Sequence, residues 1–204
     1  MESSEKLVIS CLLRSTIATR SVSYTHLKQA LGMLYAVAYI IKMGKQKPEG
    51  YFDYVVPPLE GLWWQKGIHG VDHFRKADFR WVSLIRLPEF VTEEFFRWVI
   101  REATEKKQRD FSKVEFFSWE EGLCVQCMHI GLYDDEPATV AAMEKFATGQ
   151  GYALDFSQGR FHHEIYLSDV RPVSYTHLDV YKRQDQGLKL MGIKIRHRTF
   201  LRRL

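Results

Sequence analysis

The chain has 204 residues, 46% hydrophobic and 14% aromatic, enough to bury one core or two small units sharing a core. Its net charge of +4 resides in residues 171–204, where nine Lys or Arg stand against Asp179 and Asp185. The preceding residues hold more acids than bases, which sets aside a nucleic-acid-binding body.

No apolar run approaches the roughly 20 residues of a membrane span. Leu7 to Leu13 is too short for a signal peptide and lacks a small-residue cleavage site. Cys11, Cys124 and Cys127 make no disulfide framework. These features point to a reducing, cytoplasmic setting, with no membrane or nucleic-acid partner. They leave the oligomeric state open.

Gln29 to Lys45 predicts a helix whose apolar face is Leu31, Leu34, Tyr35, Ala38 and Ile41. Tyr39 lies near the edge of that face, a position that suits core more than ligand contact. Gly44, the lysines and Pro48 stop the helix. Tyr51 to Trp64 predicts a strand broken at Pro57-Pro58, since a double proline marks an edge, a bulge or a bend. Gln65 to Ala77 predicts a hairpin loop. Its His69 and His73 have the spacing of metal ligands only on a helix, and Gly70 argues against one.

Asp78 to Leu87 predicts a second strand, with Phe79, Trp81, Ser83 and Ile85 on one side. Thr92 is a good N-cap, and Phe95, Phe96, Val99, Ile100 and Ala103 form the buried side of the next helix. Val114 to Ile130 predicts a strand pair turning at Glu120-Glu121-Gly122. Cys124 and Cys127 stand three apart on a strand, so their thiols point to opposite faces. That geometry argues against zinc or redox chemistry. Glu136-Pro137 opens a helix with Val140, Met143, Phe146 and Ala147 as its apolar face.

Gly159 to Asp169 reads Gly-Arg-Phe-His-His-Glu-Ile-Tyr-Leu-Ser-Asp. A period of two puts His162, Glu164, Tyr166 and Ser168 on one strand face, and Phe161, His163, Ile165 and Leu167 on the other. A carboxylate beside a phenol suits a ligand-neutralising acid if that face is buried, or a solvated strand edge if it is not. The hexapeptide Val22–Leu27 recurs letter for letter at Val173–Leu178, with nothing around it repeated. Met191 to Phe200 alternates Ile193, Ile195 and His197 with charged neighbours, as a strand would.

Four stretches resemble the GyrI-like small-molecule-binding domains: Glu49–Trp64, Asp78–Thr92, Glu121–Thr139 and Phe161–Asp169, in the family's order. Those domains are similar to the multidrug-binding halves of certain transcription activators and to the gyrase inhibitory protein. The resemblance covers roughly Gln29 to Arg171. Val173 to Gln184 instead resembles a translated sequencing-library adapter. The expected organisation is therefore a non-native leader over 1–27, the GyrI-like domain over 28–171 and a non-native tail over 172–204. The family usually has proline where Leu132 stands, which bears on the turn and not on the pocket.

Pattern alone predicts α+β with antiparallel sheet. The resemblance implies two pseudo-symmetric strand-helix-strand-strand repeats with a pocket between them. It implies that Glu164 and Tyr166 line that pocket with Trp63 and Trp81, and Tyr39 is a further candidate for ligand contact. It also implies a binder of aromatic or cationic organic molecules. The alternative it carries is a hydrolase of strained-ring, cyclopropane-type electrophiles, with Glu164 activating water and Tyr166 beside it. The residues leave binder and enzyme open. No helix-turn-helix precedes the domain, so a complete activator is not expected. No phosphate loop, Ser-His-Asp grouping or metal box appears in the sequence, so neither cofactor nor metal is expected.

Overall fold

The computed structural model describes residues 9–16, 24–68, 70, 72, 75, 78–120, 122–132, 135–157, 159–167 and 193–203. The elements run β1 (Ile9–Thr16), α1 (Tyr24–Met43), β2 (Leu59–Gln65), β3 (Phe79–Leu87), α2 (Glu93–Lys107), β4 (Val114–Glu120), β5 (Cys124–Gly131), α3 (Glu136–Gly149), β6 (Tyr152–Leu154), β7 (His162–Tyr166) and β8 (Ile193–Arg203). The fold is α+β, and every pairing among the described strands is antiparallel. The strand order is β4-β1-β3-β2-β7-β8-β5, with β6 added to β8. No described helix is long and apolar enough to cross a membrane.

Residues paired directly across antiparallel strands share a face. On one face, α1 and α2 cover the β1, β3 and β4 side. Leu34, Val37, Ile41, Phe96 and Val99 pack there against Leu59, Ile85, Leu87 and Val114. On the same face α3 covers the other end, where Met143 and Ala147 meet Val125. The strands between, β2 and β7, carry the middle of that face.

The opposite face buries Leu62, Val82 and Leu84, flanked by Trp64, Phe117, Trp119 and Phe161. Trp119 of β4 lies 5.7 Å from the ring of His163 on β7 and 5.5 Å from Phe200 on β8. The strands β1, β3 and β2 stand between β4 and β7 in the sheet. The sheet must therefore curl, with this second face inside, in the sense that strand twist accumulates. Within the curl His163 Nε2 is hydrogen-bonded to Glu60 Oε2 at 2.8 Å, and Arg86 approaches the other carboxylate oxygen at 3.4 Å.

Several local expectations shift. Helix α1 begins at Tyr24, inside the first copy of the repeated hexapeptide. Its buried stripe is Ala30, Met33, Leu34, Val37, Ala38 and Ile41, so Leu31 and Tyr35 sit at its rim. Residues 51–58 form no strand, and pairing begins only after Pro58. Proline cannot donate to the ladder, and two in succession leave no register to extend. Phe146 is 63% exposed although the periodicity placed it on the buried side of α3. That helix buries a narrow stripe of Glu136, Met143 and Ala147.

Strand β1 stands between β4 and β3, and β8 stands between β7 and β5. Strand β8 buries His197, Thr199 and Phe200. The adapter-like stretch Val173–Gln184, His69 and His73 lie outside the described residues.

Candidate functional site

The register defines one transverse row across the helix-bearing face: Ser83 on β3, Gly61 on β2, Glu164 on β7, His197 on β8 and Cys127 on β5. Trp81, Trp63 and His162 form the neighbouring row on one side. Tyr166 stands on the other side of Glu164 on the same strand face. The floor between the two helix-covered ends is therefore aromatic and acidic around a glycine.

Gly61 is required by close approach. A Cβ there would stand 2.8 Å from Trp63 Nε1 and 3.0 Å from the Tyr166 hydroxyl. In its absence the Trp63 indole donates to the Tyr166 hydroxyl at 2.9 Å. Trp63 packs edge-on to Phe79 at 5.8 Å and tilted against Trp81 at 6.2 Å. Trp81 is 2% exposed, and its indole N–H makes no hydrogen bond to any described residue.

Glu164 is 5% exposed. Burial pushes its carboxyl up to about 7, because the charged form loses water. Hydrogen bonds with Tyr166 and the Glu136 carboxyl, the charge of His163 and the Trp63 N–H pull the other way and do not win. Oε2 of Glu164 makes no hydrogen bond to any described residue. Such an acid sits near half-ionised at neutral pH, able to take up a charge partner or a proton.

The structure thus gathers Glu164, Tyr166, Trp63 and Trp81. Tyr39 is placed elsewhere, 54% exposed on α1 with Tyr35 as its ring neighbour at 6.4 Å. It lines a cleft with Gly32, Ile40, Lys106 and Lys107. Its edge position in the sequence reads as core, whereas the stripe turns toward Ala30 and Val37 and leaves the ring in solvent.

Three further side chains join Glu164: His162, Glu136 from the first turn of α3, and His197 from β8. His162 Nε2 is 3.0 Å from His197 Nδ1 and 3.8 Å from Glu136 Oε1 and from Glu164 Oε1. His197 Nδ1 is 3.6 Å from Glu136 Oε1. All four are buried. The period-two face contains His162, but Glu136 reads as a helix-start acid and His197 as one alternating residue of a basic tail. Only the pairing of β8 with β7 puts His197 opposite Glu164. Cys127, opposite His197, and Cys124, opposite Phe200, are in no disulfide among the described residues and lie on different faces.

A sequence model of the GyrI-like small molecule binding domain matches residues 18–183. The fold is similar to that of an uncharacterized conserved protein from Listeria innocua, 35% identical, with a TM-score of 0.78. It is also similar to a hydrolase from Listeria innocua, 33% identical, with a TM-score of 0.73. In both cases the match covers 96% of this chain and 89% of the other. No curated protein matches the sequence.

Proposed function

Because the chain belongs to the GyrI-like small molecule binding domain family, we propose that it binds an aromatic or cationic organic molecule over Trp63, Trp81, Glu164 and Tyr166. The observation that carries this reading is the buried Glu164 carboxyl, with one oxygen making no hydrogen bond to any described residue, set beside the Trp63 and Trp81 rings. Indole faces attract flat rings by stacking and cations by their quadrupole. A buried carboxyl neutralises a positive ligand at a site where water cannot compete. Both contributions favour a ligand that is flat and positively charged.

Fluorescence titration with a cationic and a neutral aromatic dye tests the reading. Glu164→Gln keeps the shape and removes the charge. It should weaken the cationic dye by a few kcal/mol, as expected for a charge partner lost from a dry site, and the neutral dye by under about 1 kcal/mol. Equal losses for both dyes would defeat the assignment.

A second reading is hydrolysis, for which the hydrolase from Listeria innocua among the similar structures speaks, with a strained-ring electrophile as the substrate class that the family resemblance implies. Glu164 would take a proton from water as the oxygen bonds to a ring carbon and the ring bond breaks, and the leaving carbon, holding that electron pair, would take the same proton back from the Glu164 carboxyl. Tyr166 and the tryptophans would orient the ring. Mass-spectrometric detection of the water adduct checks this. Glu164→Gln should abolish adduct formation while leaving the neutral substrate bound, and an undiminished rate would remove Glu164 from the chemistry.

A further inference from the structure

The second feature of the floor concerns its far side, and it holds for either reading of the ligand. Four potential donors converge there from three elements: Glu136 from the start of α3, His162 and Glu164 from β7, and His197 from β8. One donor atom from each lies within 4.8 Å of the other three. The separations of 3.0, 3.6, 3.8 and 3.8 Å between named atoms bracket a tetrahedral edge. Metal–ligand bonds of about 2.0–2.1 Å at the tetrahedral angle give an edge of about 3.4 Å.

Charge gives the second argument. The donor oxygens of Glu136 and Glu164 are buried and lie within 4.8 Å of each other, so two carboxylates there need a cation beside them. A divalent ion balances both, and two neutral imidazoles complete its shell. Glu164 offers Oε1 on this side, while its Oε2 makes no hydrogen bond to any described residue in a side chain only 5% exposed.

We propose that Glu136, His162, Glu164 and His197 form a buried site for a divalent transition metal of the zinc type. Two imidazoles and two carboxylates suit zinc better than magnesium or calcium, which prefer an all-oxygen shell. Thiols take no part. Glu164 would then bind the metal through one oxygen and leave the other for the organic ligand.

The test uses the full chain, stripped with a chelator and titrated with Zn²⁺ and Co²⁺ alone, so no organic ligand is involved and a failure of the binding reading leaves the result unaffected. Calorimetry should show saturable binding of one equivalent, and the Co²⁺ form should show the intense visible bands of a four-coordinate site. Glu136→Gln and His197→Gln should each weaken zinc binding at least about tenfold. Glu144→Gln, an exposed acid on the same helix, should leave it unchanged. If either cluster variant loses its circular dichroism signal, X-ray absorption at the zinc edge of the unmutated protein decides. A nitrogen and oxygen shell with imidazole scattering supports the site. A sulfur shell, no saturable binding, or full-strength binding in both cluster variants overturns it.

Discussion

At the scale of single residues, the floor depends on a side chain that is missing. Gly61→Ala would force Trp63 and Tyr166 apart, because the added carbon falls inside their contact distances. The backbone at Gly61 is ordinary, so the cost is overpacking, about 1–3 kcal/mol of stability. Urea denaturation should read that loss, and the cationic dye should weaken with it. Asp155 is a different case. It accepts hydrogen bonds from the Ser157 N–H at 3.0 Å and hydroxyl at 2.6 Å, and pairs with Arg160. The Ser157 bonds and the Arg160 charge hold its carboxyl below the ordinary aspartate value. A depressed value stabilises the fold above the unfolded value of about 3.9 and loses that contribution as pH falls through the folded one. Asp155→Asn should therefore lower Tm at neutral pH, and the gap to the parent should close below about pH 4. A gap that persists at low pH would contradict this. Glu164 and Tyr166 were legible as neighbours because alternation along one strand places them without knowledge of the fold, whereas Trp63 and Trp81, on β2 and β3, entered only through the family resemblance. Glu136 and His197 were not, since their approach to Glu164 depends on which strand pairs with β7.

At the scale of elements, periodicity located most helices and strands but set their burial loosely. The face of α1 is turned from Leu31 and Tyr35 toward Met33 and Val37, because both a sheet and α2 pack against it. Phe146 fails for the opposite reason: α3 covers the sheet's far end with a narrow contact, and its outer apolar residue meets nothing. Helix α2 is the most regular. Thr92 accepts from the Phe95 N–H at 3.2 Å, with Glu93 and Glu94 in the first turn. Thr92→Ala should cost about 1 kcal/mol in urea denaturation. At its other end Gln108 is left-handed, with φ 49° and ψ 45°. Gln108→Gly should stabilise by up to about 1 kcal/mol, because a Cβ is disfavoured there. A loss on that substitution would mean that the Gln108 bond to the Glu105 carbonyl matters more than the backbone strain.

At the scale of the molecule, the α+β class followed from pattern, whereas the curl of the sheet did not. Trp119 reaches His163 across three intervening strands and Phe200 across four, contacts with no local signature. Inside the edge strand β4, the order β1-β3-β2 runs inward, and β5-β8-β7 runs inward from the other end, meeting at the β2–β7 seam. This order supports the proposal of two related units with the ligand at their junction. The adapter-like character of Val173–Gln184 is testable at this scale too. If that stretch is foreign, replacing it with a Gly/Ser segment of equal length should leave circular dichroism, Tm and dye affinity unchanged. A large fall in Tm would assign it a structural role.

The place of β8 also has a consequence for biogenesis. Strands β7 and β5 are both synthesised before β8, yet each pairs with it and not with the other. A nascent chain ending between Tyr166 and Ile193 therefore holds two open edges separated by a gap one strand wide, a template for β8 and equally for another chain. His197 arrives with the strand that closes the gap. Completion of the sheet and assembly of the four-residue cluster are thus the same event, and termination ahead of β8 should yield insoluble product instead of a weakened domain.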